Sequence, residues 1–160
     1  MPRVVLVDDL VGTGAPENNF GAARFLYENG VLRSIGAVPG YSNQPYAIGY
    51  GINNTGTIVG ESKAEAMIYE NGEMKGFGRH SALSAQKIND VGDVIGVLAT
   101  PRNTHGGFVF RANQIGVIAG FDENADVFPA ALNSRGQVVG SSTMLGIPHA
   151  FLYENGTCSG

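Results

Sequence analysis

The word Tyr-Glu-Asn-Gly occurs three times in this chain, at Tyr27–Gly30, Tyr69–Gly72 and Tyr153–Gly156, and a degenerate copy, Phe110-Arg111-Ala112-Asn113, stands between the second and third. The aromatic positions 27, 69, 110 and 153 are 42, 41 and 43 residues apart. Such a period means that one supersecondary unit is copied along the chain, and that each copy buries its apolar surface against its neighbours. A second word, Ile/Leu-Asn-x-x-Gly-x-(Val/Ile)-(Val/Ile)-Gly, alternates with the first at Ile52–Gly60, Ile88–Gly96 and Leu132–Gly140. Its asparagines, Asn53, Asn89 and Asn133, are 36 and 44 residues apart, so connections of unequal length absorb the difference.

Each word dictates a local structure. Asn-Gly between apolar runs is the strongest short hairpin signal, because a type I′ turn needs φ > 0 at both central residues. In Asn-x-x-Gly the asparagine side chain can bond backbone two residues on, and glycine at the fourth place favours a type I turn. Two hairpins per unit make four strands per unit, and the chain reads as about fourteen strands. Its 24 glycines in 160 residues, twice the usual share of about 7 %, fit that many tight turns. The stretch from Lys63 to Tyr69 has helix-like composition but stands where the repeat demands a strand. Arg3-Val4-Val5-Leu6 aligns with Gln137–Gly140, so the chain opens inside a unit, and it closes just after the Tyr153 turn. Residues 1–160 therefore read as a single β-repeat domain of about 3.5 units, with a half unit at each end.

Alternation within the strands places Phe25, Tyr27, Met67, Tyr69, Phe108, Phe110, Phe151 and Tyr153 on one face. The other face holds Leu26, Ile68, Val109 and Leu152, which are apolar too. Strands apolar on both faces need cover on both sides. The expected fold is all-β and β-propeller-like, built from repeated four-stranded units, with a β-trefoil or β-prism as the alternative.

The segment His149-Ala150-Phe151-Leu152-Tyr153-Glu154-Asn155-Gly156 resembles the repeat that names the HAF-repeat family of extracellular proteins, and the Ile-Asn-x-x-Gly-x-Val-Val-Gly word resembles that repeat's second half. The resemblance covers nearly all of the chain. It implies a propeller-like arrangement and an exported location, and it implies no enzyme, cofactor or catalytic residue. The His-Ala-Phe trio itself occurs once; its counterparts are Ala23-Arg24-Phe25, Glu65-Ala66-Met67 and Gly106-Gly107-Phe108.

Little in the sequence points to chemistry. A net charge of −4 without a basic cluster gives no electrostatic footprint for nucleic acid. The apolar runs are too short to span a bilayer, and no signal peptide opens the chain, which without the resemblance would read as cytoplasmic. His80, His105 and His149 sit at different offsets in their units and lack zinc-type spacing. Asp122–Asp126 begins like a calcium loop, but the sixth and twelfth places hold Val127 and Asn133 instead of Gly and Glu. No metal or cofactor is expected. Glu28, Glu70 and Glu154 occupy one turn position in the three copies of Tyr-Glu-Asn-Gly, which suits solubility better than catalysis. The single cysteine, Cys158, excludes an internal disulfide and reads as a frayed terminal thiol.

What varies is the set of longer polar connections, Gly36–Tyr46, Ala99–Gly107 and Gly120–Phe128. Binding on rigid repeat scaffolds is built from such loops. The candidate binding residues are Tyr41, Asn43, Arg102, His105, Asp122 and Asp126. The leading functional reading is a non-catalytic binding module presenting these loops to a protein or carbohydrate partner. The alternatives are a hydrolase with a pocket at the scaffold centre and a structural piece of a longer exported array. Three and a half units should not close alone, so a homodimer completing shared units is the expected assembly, with a monomer closed by its own N-terminal strand as the alternative.

Overall fold

The computed structural model describes Val5–Val7, Phe25–Glu28, Val31–Ser34, 48–62, 65–77, 82–102 and 104–160, the first three of these by backbone only. Among the described residues there are fifteen strands and no helix. The first sheet has β1 (Val5–Val7), β2 (Phe25–Glu28) and β3 (Val31–Ser34). The second has β4 (Ile48–Ile52), β5 (Ile58–Ser62), β6 (Glu65–Glu70) and β7 (Glu73–Gly76). The third has β8 (Ala82–Ile88), β9 (Val94–Ala99), β10 (His105–Arg111) and β11 (Gln114–Ile118). The fourth has β12 (Val127–Leu132), β13 (Val138–Met144), β14 (Ile147–Glu154) and β15 (Thr157–Ser159). Every strand pairs antiparallel with its neighbour in sequence, and the chain leaves a sheet only when that sheet is finished. The last unit, expected to break off after the Tyr153 turn, is completed by β15. Cys158 lies on that strand opposite Tyr153 and packs on the core, so it is not a frayed thiol: backbone pairing and burial hold the end of the chain in place.

The turn words do what their chemistry requires. Asn71 and Gly72 have φ of 52° and 83°, Asn155 and Gly156 the same, and Ala112 and Asn113 49° and 61°. All three are left-handed pairs, as a type I′ hairpin needs. In the second word the amide of Gly56, Gly92 or Gly136 donates to the carbonyl of Asn53, Asn89 or Asn133 at 3.0–3.1 Å, closing the turn. The Asn Oδ1 then accepts from the backbone N–H two and four residues on in all three copies, at 2.8–3.2 Å.

The first strand of each of these three sheets carries a bulge at the same place in the unit: between Gly49 and Gly51, between Ala85 and Lys87, and between Pro129 and Ala131. A bulge bends its strand and deepens the twist. The carbonyls of Ile48, Ser84 and Phe128 thereby fall where a Cβ would sit on Gly60, Gly96 and Gly140. That close approach explains the glycine that ends each Val/Ile-Val/Ile-Gly run.

The second, third and fourth sheets stack in order. Val59 and Ala66 of the second sheet share a buried cluster with Ala82, Ala85, Val94, Leu98 and Phe108 of the third. On the opposite face of the third sheet, Ile95, Val109 and Ile118 pack with Val127, Val138 and Phe151 of the fourth. In both cases the first strand of the next sheet makes the crossing: β8 lies on β4, β5 and β6, and β12 lies on β8, β9 and β10. Double-sided burial thus holds inside the stack. It fails on the outer face of the fourth sheet, where Val139 and Leu152 are exposed.

Candidate interaction surface

Three connections meet at one edge of the stack. The β9–β10 loop is closed on itself by Thr100 and Thr104, through a backbone bond of 3.0 Å and a hydroxyl–hydroxyl contact of 2.6 Å. From its tip Arg102 Nη1 donates to Glu123 Oε2 at 2.7 Å, to the Glu123 carbonyl at 3.2 Å and to Asn124 Oδ1 at 3.3 Å. The His105 amide donates to Asp126 Oδ1 at 2.7 Å, and His105 Nδ1 lies 3.3 Å from the same oxygen. Asp126 in turn exchanges bonds with Thr143: its amide donates to Thr143 Oγ1 at 2.8 Å, and its carbonyl accepts from the Thr143 amide at 2.9 Å. Asp122 caps its own turn through Asn124 N at 2.8 Å, while its Oδ2 accepts from the Leu145 amide at 3.1 Å.

Four of the candidate binding residues, Arg102, His105, Asp122 and Asp126, are therefore neighbours on one rim. Tyr41 and Asn43 lie outside the described residues. The polar groups of the four are spent largely on neighbouring loop side chains and on backbone. The ion pair of Arg102 with Glu123 is exposed and contributes about 0–1 kcal/mol. These bonds tie Arg102 and His105 to the connection 119–126, and that connection to Thr143 and Leu145.

The rim also carries residues that the turn chemistry did not single out. Leu145 and Gly146 are the two-residue turn between β13 and β14, with φ of 52° and 78°. A leucine there is left-handed at a cost of about 1–2 kcal/mol, and it is 90 % exposed, so no packing offsets that cost. Met144 and Ile147, on either side, are exposed as well, and Phe128 stands 5.7 Å from the His105 ring, itself half-exposed. The sequence signal was a Leu-Gly pair where Asn-Gly would be the natural turn.

Two clefts of about 350 Å³ each lie between the second and third sheets and share Ile68, Glu70, Phe110 and Asn113. Phe77 and Phe110 meet edge-on at 4.7 Å in the first. The second brings in the carboxylate of Asp90, but its two oxygens accept from Asn54 N at 2.9 Å and Asn54 Nδ2 at 2.7 Å. Among the described residues, no three His, Cys, Asp or Glu side chains gather as a metal site. Arg111 is held above the ordinary arginine value by its hydrogen bonds to Asp93, at 2.9 Å from both Nε and Nη2. Burial pushes the Cys158 thiol up, which lowers its reactivity.

Comparison of the chain with protein-family models, with curated proteins and with solved structures returns no match.

Proposed function

We propose that this chain is a non-catalytic interaction module of the HAF-repeat type, with propeller-like stacking of its units, and that it meets a protein partner through the rim around Leu145. The carrying observation is Leu145 itself: a branched apolar side chain held left-handed and 90 % exposed at a turn tip. Strain without a packing return marks a functional position. Met144 and Ile147 beside it, with Phe128 exposed on the neighbouring strand, give the apolar part of a recognition patch, and Arg102, Asp122 and Asp126 give a polar border. A protein pocket suits projecting aliphatic side chains better than a sugar does. The hydrolase reading gains little support from the clefts, because two carboxylates must be available across a site and Asp90 is engaged by Asn54.

Leu145→Asn separates binding from folding. Asparagine tolerates the left-handed conformation, so the variant should gain about 0.5–1 kcal/mol of stability while losing its partner. Thermal melting together with quantitative capture of co-purifying protein, wild type against variant, reads both. A variant that is more stable and captures the same proteins to the same extent would contradict the reading. So would a glycan array on which wild type and variant bind one glycan equally while no protein is captured.

A further inference from the structure

The outer face of the fourth sheet repeats a surface that the inner sheets keep buried. Val139 and Leu152 stand opposite each other on β13 and β14 and are 47 % and 37 % exposed. At the same place in the unit, the third sheet pairs Ile95 with Val109, both buried beneath the fourth sheet. The second sheet pairs Val59 with Ile68, and Val59 is buried against the third. Strand alternation adds Ala131, Ser141 and Ala150 to the exposed face, and no charged residue appears along it before Glu154 at the hairpin end. A sheet face meant for water alternates to polar residues. This one has the composition of its buried equivalents.

We infer that this face docks a second copy of the chain, with the two fourth sheets packed face to face about a two-fold axis. The surface continues an interface that this chain already builds twice internally, so the partner it fits is a sheet of the same repeat. Among the described residues the opposite sheet faces are already buried, at Ile58 and Met67, Val94 and Phe108, and Val138 and Phe151. Among the described residues, the free apolar sheet face that a second copy offers is this same one. A patch that pairs with itself gives a closed dimer instead of a fibre. Four strands about 4.8 Å apart and six residues long at about 3.3 Å each give a footprint of roughly 400 Å² per copy. That is half of the ~800 Å² per partner in a standard interface. The dimer is accordingly weak and reversible, forming in the micromolar range and above.

Sedimentation velocity from low-micromolar to millimolar protein tests this. Wild type should rise from 16.7 kDa toward twice that mass. Val139→Lys and Leu152→Lys, each placing a charge on the face, should remain monomeric throughout, and the milder Val139→Thr should weaken the dimer about tenfold. Leu145→Asn, on the rim, should dimerise like wild type, which keeps this inference separate from the partner-binding reading. A wild type that stays at 16.7 kDa at millimolar concentration overturns it, and needs no variant to fold. Dimerisation that survives the lysine variants, or that disappears only with Leu145→Asn, overturns it as well.

Discussion

At residue 112 the repeat departs from its own rule. Where the second and fourth sheets use Asn-Gly, the third places Ala112 and Asn113 at φ of 49° and 61°. Asparagine and glycine enter that region with little strain, whereas alanine meets its own carbonyl there. Restoring the word with Ala112→Asn and Asn113→Gly should raise stability by about 1 kcal/mol, roughly 2–4 °C in a chain of this size. Differential scanning calorimetry of the double variant checks it; an unchanged or lower melting temperature would mean that Ala112 makes a compensating contact. The same φ > 0 requirement explains why these turns were legible in the sequence: it is local, set by two residues, and independent of the rest of the fold. Leu145 escaped for the same reason. It violates the rule, and only its exposure in the folded chain shows that the violation carries a surface side chain.

At the scale of the element, two strands of one sheet choose their polar pair together. The residue four places after the turn asparagine is Thr57, Asp93 or Gln137, and the residue after the hairpin aromatic is Glu70, Arg111 or Glu154. In the fourth sheet Gln137 Nε2 donates to Glu154 Oε1 at 2.9 Å. In the third the glutamate has become Arg111, and its partner has become an acid: Asp93, only 9 % exposed, takes both guanidinium bonds. This accounts for the odd copy Phe-Arg-Ala-Asn, which read as mere degeneracy in sequence because its compensation lies 18 residues upstream. Arg111→Glu should cost about 2 kcal/mol, since it sets a second carboxylate against a buried one. Adding Asp93→Gln rebuilds the pair of the fourth sheet and should recover about half of the loss. Urea melts of both singles and the double give the coupling; additive costs would show that the two positions are independent. Strand bulges and the glycines beside them were likewise illegible, because a bulge is a register shift between strands and no single-strand pattern records it. The four-strand unit itself was legible, since turn words and double-sided apolar runs are both local.

At the scale of the whole molecule, the asparagines of the second word tie the second, third and fourth sheets to one another, alongside the apolar clusters between them. Each Oδ1 serves its own turn, but Asn53 Nδ2 donates to the Asn89 carbonyl at 3.2 Å, and Asn89 Nδ2 to the Asn133 carbonyl at 2.9 Å. The ladder ends at Asn133, whose Nδ2 turns to Gln137 Oε1 at 2.7 Å within its own unit. Spacings of 36 and 44 residues revealed the repeat of this asparagine, not its reach into the next unit, which depends on how sheets stack. The outer face of the fourth sheet was illegible for a related reason: Val139 and Leu152 follow the same pattern as their buried equivalents, and only the stack reveals which copy is left uncovered.

Asn53→Asp measured against Asn133→Asp isolates the ladder. Aspartate keeps the acceptor that each turn uses; at Asn53 it removes a ladder donor, and at Asn133 a donor that serves only its own unit. Asn89 is the poorer choice because Asp93 beside it would add repulsion. By urea denaturation, Asn53→Asp should cost about 2 kcal/mol, because a carboxylate then faces the Asn89 carbonyl in a buried contact. Asn133→Asp, exposed and bonded only within its unit, should cost less than about 0.5 kcal/mol. Equal losses at the two sites would contradict the account, showing that these asparagines shape their own turns and do not join one unit to the next.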